Sequence, residues 1–378
     1  MARIALEARS LSLPGGVRTY TLEVIRRLVR DDTRDEFHVF LDSAKFRGTF
    51  PGVVEHVVPV GHPSLRLIWD ACSLPVALKR VHADLVHYFK PAAAPWQKSL
   101  SVVTIHDIIP ILFPDAQTRI QRWYWRLQLP LAARSCTHIL TVSEASKRDI
   151  MNHFQVPPER ITVTPLGIGE RFRPAQEQEI RRVRSTYRLP QHIVLHVGTI
   201  QPRKNLARLL RAFARVSADI PHTLVIAGKW GWRFEDVKSA ASDPRIRSRV
   251  RFLSTVRGED LPALYSAADA FAFPSLSEGF GLPPLEAMAC GTPVVTSATS
   301  SLPEVVGSHA LLVHPEDEEA LATAMKSIVT DRDLHERLRL EGLSWARRCT
   351  WEKTVQQTLA VYQALLAGAP TVPMTVNA

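Results

Sequence analysis

The sequence predicts an α/β protein of two Rossmann-like, doubly wound parallel-sheet domains that face each other across a cleft. Short apolar runs alternate with helical or loop stretches in both halves of the chain, which is typical of parallel sheets covered by helices. The 378 residues allow about two or three domains, and each half is long enough to bury its own core. A hydrophobic content of 46% and a charged content of 22% are ordinary for a globular protein.

The first half begins with a strand predicted at residues 3–8. A tight loop with Gly15 and Gly16 follows, and an apolar helical stripe starts at Val17. A strand, a glycine turn and a helix N-terminus make an approach point for phosphate or sugar, but a plain tight turn explains a glycine pair equally well. Later apolar runs predict strands at residues 37–41, 53–60, 85–89, 102–105 and 139–142.

His106 and Asp107 directly follow the strand that ends at Ile105. Doubly wound sheets bind ligands beyond the carboxyl ends of their strands, so this pair stands where a ligand would bind. A loop-capping aspartate beside a structural histidine is the competing interpretation. Ser143 and Ser146 follow the next strand and are interpreted first as a helix cap.

The chain changes character near residue 168, where a strand ends in glycines and a polar stretch runs to about residue 188. We place the link between the domains there. A second set of apolar runs predicts strands at residues 193–197, 223–227, 250–253, 270–273, 293–296 and 310–313. The predicted boundaries are 1–168 and 169–350 for the two domains, 351–368 for a terminal helix and 369–378 for a disordered tail.

Two adjacent cations, Arg203 and Lys204, follow the strand at residues 193–197 and precede a helix. At the carboxyl edge of a sheet, such a pair is placed to hold a diphosphate. A solvated surface pair is the competing interpretation.

Residues 269–296 read DAFAFPSLSEGFGLPPLEAMACGTPVVT and predict a strand, a loop, a helix and a strand. Glu278 lies in the loop and Glu286 in the helix, with seven residues between them. Amide groups near Gly281 and Leu282, helped by the helix dipole, can hold phosphate oxygens. The two carboxylates can accept hydrogen bonds from sugar or ribose hydroxyls.

In these residues the chain resembles the retaining glycosyltransferases of family 4, whose E-x7-E motif occupies the same strand, loop and helix of a GT-B fold. The spacing of Glu278 and Glu286, the intervening GFGLP and the EAMACGTPVV that starts at Glu286 agree together. The resemblance extends from about residue 3 to 366 and is dense in the second half. It implies a two-domain transferase in which the terminal helix crosses back onto the first domain.

The resemblance also assigns roles to residues. Glu286 is expected to hold the nucleotide ribose, Glu278 the hydroxyls of the transferred sugar, and His106 the sugar from the opposite domain. The remaining donor contacts are expected from Arg203, Lys204, Gly279, Phe280, Gly281 and Leu282, and provisionally from Gly15 and Gly16. Thr199 stands where many members have a basic residue, which leaves the number of phosphate contacts open.

The sequence also indicates which sugar donor the protein uses. The G-T-x-x-P-R-K-N pattern at residues 198–205 looks like that of bacterial mannosyltransferases of surface-polysaccharide assembly, which favours GDP-mannose. The acceptor is then a hydroxyl of a glycan or a lipid-linked glycan. A GT-B nucleotide-sugar epimerase, which would need no acceptor, is the alternative function.

No metal and no cofactor are expected for the transfer. The D-x-D triplet at residues 331–333 lies in a late helical region and is interpreted as a solvated helix end. Leaving-group charge would therefore be met by Arg203, Lys204 and the helix N-terminus near Gly281. Four scattered cysteines without a C-x-x-C pair indicate neither a zinc site nor a disulfide framework.

Charge and location set the remaining expectations. The formal net charge of +10 favours anionic partners, but aromatic and basic residues are not interleaved on a nucleic-acid-binding module, so no nucleic acid is expected. The N-terminus lacks the apolar core of a signal peptide, and no run of eighteen apolar residues occurs, which predicts a cytoplasmic protein.

One helix predicts peripheral contact with the inner face of the cytoplasmic membrane. Basic residues recur there at helical spacing beside an apolar and aromatic face, as in segments that lie on anionic bilayers. A core-facing helix with a solvated basic edge is the competing interpretation. The basic residues are Arg119, Arg122 and Arg126, and the apolar face has Ile120, Trp123, Tyr124 and Leu127.

Overall fold

The computed structural model describes residues 1–12, 15–58, 74–91, 99–114 and 118–369. The chain divides into two compact units. The first unit comprises Met1–Gly167 and the segment that starts at Thr350, and the second comprises Ile168–Cys349. The tail that the sequence predicts to be disordered lies, from residue 370 onward, outside the described residues.

The described strands of the first unit form one parallel sheet in the order β3-β2-β1-β4-β5-β6-β7. The strands are β1 (Arg3–Glu7), β2 (Glu36–Leu41), β3 (Val54–Val57), β4 (Leu85–Tyr88), β5 (Leu100–Thr104), β6 (His138–Thr141) and β7 (Ile161–Val163). The helices between them are α1 (Gly16–Asp31), α2 (Leu74–Arg80), α3 (Ile109–Leu112), α4 (Arg119–Ser135) and α5 (Glu144–Phe154).

The second unit repeats this design with a parallel sheet in the order β10-β9-β8-β11-β12-β13. Its strands are β8 (Ile193–Val197), β9 (Thr223–Ala227), β10 (Val250–Leu253), β11 (Ala270–Phe273), β12 (Val294–Ser297) and β13 (Leu311–Val313). Its helices are α6 (Glu177–Thr186), α7 (Leu206–Val216), α8 (Glu235–Ala241), α9 (Leu261–Ser266), α10 (Leu282–Ala289), α11 (Leu302–Val306), α12 (Glu318–Thr330) and α13 (Arg332–Ala346).

These observations confirm the predicted α/β class with two doubly wound parallel sheets. The apolar runs become strands because helices cover both faces of such sheets, so that strand residues are buried on either side. In β8, for example, Leu195 is fully buried and pairs with Val225 of β9 and Phe271 of β11. In each sheet the strand order reverses once. The reversal lies between β1 and β4 in the first sheet and between β8 and β11 in the second. Ligands of doubly wound sheets bind where the order reverses.

The terminal helix α14 (Trp351–Leu366) packs within the first unit. Trp351, Val355 and Tyr362 are buried as their helical spacing predicts, whereas Leu359 is partly exposed. A Cβ atom at Gly167 would lie 2.1 Å from the backbone nitrogen of Trp351, so only glycine allows this close approach.

The polar stretch follows a boundary between the two units after Gly167, within one residue of the predicted boundary. It contains α6, which opens with a capping box between Gln176 and Glu179 and belongs to the second unit. Its low apolar content reflects an exposed helix, of which Val183 is the buried anchor.

Candidate active site

The candidate site of the second unit forms where the loops after β8 and β11 meet. The β8 loop continues the strand through Gly198 and ends in a short 3-10 turn, Pro202–Lys204, before α7. A Cβ atom at Gly228 would lie 1.9 Å from the carbonyl oxygen of Gly198, so this glycine lets two neighbouring loops touch through their backbones. The first loop is therefore fixed by the sheet beneath it.

Hydrogen bonds join the two loops. The Leu276 amide donates to the carbonyl of Arg203 at 2.8 Å, and the Arg203 guanidinium donates to the carbonyl of Ser277. Asn205, in the left-handed conformation that asparagine tolerates, donates through Nδ2 to the carbonyls of Pro274 (3.0 Å) and Pro315 (2.6 Å). These bonds hold Arg203 and Lys204 against the loop that carries Glu278.

Three donors converge on one carboxylate oxygen, Oε1 of Glu278. Lys204 Nζ lies 2.6 Å away, Arg203 Nη1 2.7 Å and Ser275 Oγ 2.5 Å. The three charged side chains are 10–13% exposed, so water screens them little. Burial alone would raise the pKa of Glu278, but the adjacent Lys204 and Arg203 lower it to about 2. Glu278 is therefore ionised, and the cluster carries one net positive charge.

Helix α10 begins at the end of the same loop. Its N-cap residue is Gly281, with φ of 113°, and a Cβ atom there would lie 2.7 Å from Cδ2 of Leu302. Ser301 Oγ donates to the carbonyls of Phe280 (2.6 Å) and Glu278 (3.0 Å), and Ser300 Oγ donates to the Glu278 carbonyl at 2.6 Å. These serines fix the loop just before the helix N-terminus, which is suited to an anion.

Glu286 lies one turn into α10 and is partly buried. The hydroxyl of Tyr265 donates to its Oε2 at 2.8 Å. Burial raises the pKa of Glu286 to about 7, although Tyr265 and the more distant Arg171 act in the opposite direction. The pKa of Tyr265 is raised well above its ordinary value by burial and by Glu286, so its hydroxyl keeps its proton and remains a donor.

The predicted site residues of the first unit are His106, Gly15 and Gly16. His106 is partly buried after β5; its Nε2 donates to the Phe89 carbonyl at 3.3 Å, and the ring of Tyr20 meets it edge-on at 4.8 Å. Burial lowers the pKa of His106 to about 4, so its imidazole is neutral at pH 7. Gly15, with φ of 98°, is the N-cap of α1, and Gly16 is the first helical residue; both are exposed.

Two sequence interpretations concern helix caps, and both are confirmed. Ser143 accepts a hydrogen bond from the Ser146 amide at the start of α5, and Ser146 Oγ donates to the His106 carbonyl at 2.9 Å. Asp331 caps α13 by accepting from the Leu334 amide at 3.0 Å, so the D-x-D triplet is a helix start.

The structure adds residues that the sequence analysis missed. Ser275 and Tyr265 contact the two glutamates, while Ser300 and Ser301 shape the loop. Asn205 directly follows the Arg-Lys pair, and this position could have suggested its loop-joining role. Tyr265 gives no such signal, because it meets Glu286 only through the packing of α9 on α10.

Helix α4 presents an exposed apolar stripe. Ile120 is 83% exposed, Trp123 68%, Leu127 65% and Leu131 43%, while the opposite face buries Leu129. The competing interpretation of a core-facing apolar side is therefore wrong for Ile120, Trp123 and Leu127. Tyr124, by contrast, is half-buried. Of the neighbouring arginines, two are exposed (Arg119 and Arg126) and one is half-buried (Arg122). In the part of the chain that the structure describes, no helix combines the length and apolarity needed to cross a bilayer.

Family models match both halves of the chain. Residues 177–345 match the glycosyl transferases group 1, and residues 14–172 match glycosyltransferase family 4. The chain is 30% identical over 367 residues to O-antigen chain mannosyltransferase B of Escherichia coli, covering 93% of this chain and 96% of the relative. It is 33% identical over 227 residues to O-antigen chain mannosyltransferase RfbU of Salmonella typhimurium, covering 60% of each chain.

Solved structures agree on the fold. A sucrose-phosphate synthase from Thermosynechococcus elongatus superposes with a TM-score of 0.75 at 23% identity, over 98% of this chain and 100% of the other. Anabaena HepE in complex with UDP-glucose superposes with a TM-score of 0.76 at 19% identity, over 96% of this chain and 100% of HepE. The fold is GT-B, as the sequence predicts.

Proposed function

Because the chain belongs to the family-4 glycosyltransferases, the glycosyl transferases group 1, we propose that it transfers mannose from GDP-mannose to a hydroxyl of a glycan or lipid-linked glycan, with retention of anomeric configuration. The observation that carries the proposal is the buried contact of Arg203 and Lys204 with Glu278 at the reversal point of the second sheet. The mannosyltransferase relatives support the choice of sugar.

The cations account for diphosphate binding. The cluster has one net positive charge before the donor arrives, and the two cations are already held in place by Glu278 and the loop carbonyls. A diphosphate that approaches the N-terminus of α10 then meets preorganised donors that need little rearrangement. In this arrangement Oε1 of Glu278 keeps Arg203 and Lys204 in position, and Oε2 accepts a hydroxyl of the transferred sugar.

Glu286 accounts for binding of the nucleotide ribose. An ionised carboxylate accepts hydrogen bonds from both hydroxyls of a ribose, and these bonds are stronger than neutral ones. Tyr265 holds the side chain through the other oxygen, so the accepting geometry is fixed before binding. Since the pKa of Glu286 is about 7, ribose binding also favours loss of its proton.

The transfer itself is a front-face displacement. The bond between the anomeric carbon and the diphosphate oxygen breaks, the acceptor oxygen bonds to that carbon on the same face, and the acceptor proton passes to the departing phosphate. Arg203 and Lys204 stabilise the charge that develops on the leaving group, so this step is proposed to need no metal ion. Neutral His106 is proposed to contact the sugar as a hydrogen-bonding group, without serving as a cation.

A donor screen tests this function. Thermal shifts with GDP, UDP and ADP and with their sugars should show the largest stabilisation with GDP and GDP-mannose. GDP release from GDP-mannose should then depend on added acceptor, whereas an epimerase would convert the sugar without one. Preferential stabilisation by UDP would refute the choice of nucleotide, and sugar conversion without an acceptor would refute transfer.

We also propose that α4 lies on an anionic bilayer surface. Its exposed stripe of Ile120, Trp123 and Leu127 offers an apolar insertion face, and the flanking arginines offer charge complementarity to acidic headgroups. Each arginine near such a surface contributes about 1 kcal/mol, which gives reversible attachment. On this proposal, attachment brings the protein to the membrane surface, where lipid-linked acceptors lie.

Vesicle sedimentation tests the attachment. The protein should pellet with phosphatidylglycerol-containing vesicles at low salt, not with phosphatidylcholine alone, and be released near about 0.5 M salt. A variant with Gln at the three α4 arginines should stay in the supernatant and keep its donor affinity. Its matched control removes the same charge from exposed positions of the second unit, namely Arg332, Arg337 and Arg347. Equal pelleting of the two variants would refute the assignment to α4.

A further inference from the structure

Two histidines and an aspartate meet at the N-terminal ends of the strands of the second sheet, whereas the candidate active site lies at the C-terminal ends. His222, Asp269 and His192 each immediately precede a strand, namely β9, β11 and β8. These three strands are neighbours in the sheet, and β8 separates the cluster from Gly198 by five strand residues, or about 16 Å. The cluster is therefore distinct from the site that holds Glu278.

The backbone fixes the three positions. The Ile193 amide donates to Oδ2 of Asp269 at 2.9 Å, and the Asp269 amide donates to the Ile193 carbonyl at 3.0 Å. The Thr223 amide donates to the His192 carbonyl at 3.0 Å. Rigid strand starts hold side chains more accurately than loops do. The hydrogen bond from the Ile193 amide to the Asp269 carboxylate is the kind of outer contact that orients a metal ligand.

Interatomic distances at the cluster are longer than those of most hydrogen bonds between nitrogen and oxygen. Oδ2 of Asp269 lies 3.4 Å from Nε2 of His222 and 3.7 Å from Nδ1 of His192. Most hydrogen bonds between nitrogen and oxygen are about 2.7–3.2 Å long. Two ligand atoms of a tetrahedral zinc ion, each bound at about 2.0–2.1 Å, lie about 3.3 Å apart. One potential ligand atom from each of the three residues lies within 4.8 Å of the others.

We propose that His192, His222 and Asp269 bind a divalent transition-metal ion, with Zn²⁺ as the ion that suits them best. Two imidazoles and one carboxylate are ligands that zinc accepts, and three protein ligands leave a fourth position for water. The His222 side chain is 6% exposed, whereas those of His192 and Asp269 are 44% and 34% exposed. The ion therefore enters from solvent and rests on a buried imidazole.

The consequence is a stabilising metal site away from the chemistry. The ion would tie together the starts of three adjacent strands, so it binds the folded second unit and not the unfolded chain. Chelation should lower the melting temperature of the zinc-loaded protein by several degrees. The transfer rate at low temperature should not change, because Arg203 and Lys204 lie at the C-terminal ends of the strands.

The test uses full-length protein without a polyhistidine tag, stripped with EDTA. After equilibrium dialysis against Zn²⁺, mass spectrometry of the metal content should give one ion per chain, and Mg²⁺, which prefers oxygen ligands, should not be retained. His192→Ala, at a partly exposed position, should weaken zinc binding by at least about tenfold, since even outer-contact losses cost about 10–100-fold. Asp269→Asn should act in the same direction.

The matched control is His314→Ala, which removes an exposed histidine of the same unit outside the cluster. It should retain zinc like the wild type, and EDTA should lower its melting temperature equally. Equal zinc retention by His192→Ala and the wild type would overturn the proposal. So would a wild-type protein that retains no Zn²⁺ at micromolar free concentration. Neither outcome depends on transferase activity, so the donor screen stands or fails separately.

Discussion

Glu286→Gln should make the protein more stable and a poorer binder of its donor. Glutamine has nearly the shape of glutamate, and its carbonyl oxygen can still accept the hydrogen bond from Tyr265. The substitution removes a carboxyl group whose ionisation is opposed by burial. It also removes the charge that would strengthen hydrogen bonds from ribose hydroxyls.

The size of the expected stability change follows from the pKa of Glu286. A rise in the pKa of Glu286 from 4.5 to about 7 corresponds to roughly 3 kcal/mol of lost stability when the carboxyl is ionised. Because the native pKa lies above the ordinary value, the folded state binds the proton more tightly than the unfolded state. The loss is therefore small near pH 4.5, grows as the pH rises, and is complete above pH 7. For a domain of this size, about 1 kcal/mol changes the melting temperature by about 2–4 °C.

Melting curves of wild type and Glu286→Gln between pH 5 and 8 measure this. The melting temperature of the variant should exceed that of the wild type by an amount that increases with pH and reaches roughly 6–12 °C at pH 8. Glu170→Gln, at an exposed position of the same unit, should show no such trend. In titrations with donor, Glu286→Ala should lose about 1.5–3 kcal/mol of binding free energy. A melting difference that does not change with pH would refute the reasoning.

Three further predictions concern the transfer step. Glu278→Ala should mainly lower turnover and leave donor affinity less affected than Glu286→Ala does; equal, small effects of both on turnover and affinity, measured by steady-state kinetics and titration, would contradict the assignment. Arg203→Ala or Lys204→Ala should each lower the rate by about 10²–10³, as loss of one preorganised charge stabiliser does elsewhere, and initial-rate assays that show no loss would remove the proposed role. Activity should persist in EDTA, and abolition by EDTA with recovery in Mn²⁺ would show that the transfer needs a metal.

Much of the fold could be predicted because a parallel sheet leaves a plain pattern. Strands β8, β9, β10 and β11 begin and end where the apolar runs do. Pro283 and Pro284 lie in the first turn of α10, where proline fits, whereas it does not fit farther along a helix. The polar helix α6 was missed because it buries little apolar surface and so lacks the stripe that reveals other helices.

Contacts between distant segments could not be predicted in the same way. Lys204 and Glu278 are 74 residues apart, and their ion pair depends on β8 and β11 being neighbours, which no local pattern encodes. The same holds for His192 and Asp269, whose common feature is only that each precedes a strand. The direction of the α4 apolar face was likewise undecided by the sequence, because either face of the helix could have met the sheet.

The three donors on Glu278 have a consequence for turnover. On the proposed reaction, the released nucleoside diphosphate carries one more negative charge than the nucleotide sugar did once it has lost the proton taken from the acceptor. Arg203 and Lys204 alone would bind that product more tightly than the substrate and slow its exit. Glu278, fixed 2.6–2.7 Å from both cations, offsets part of their attraction throughout the cycle. On this proposal the carboxylate limits product inhibition, and a Glu278→Ala enzyme would release its nucleoside diphosphate more slowly.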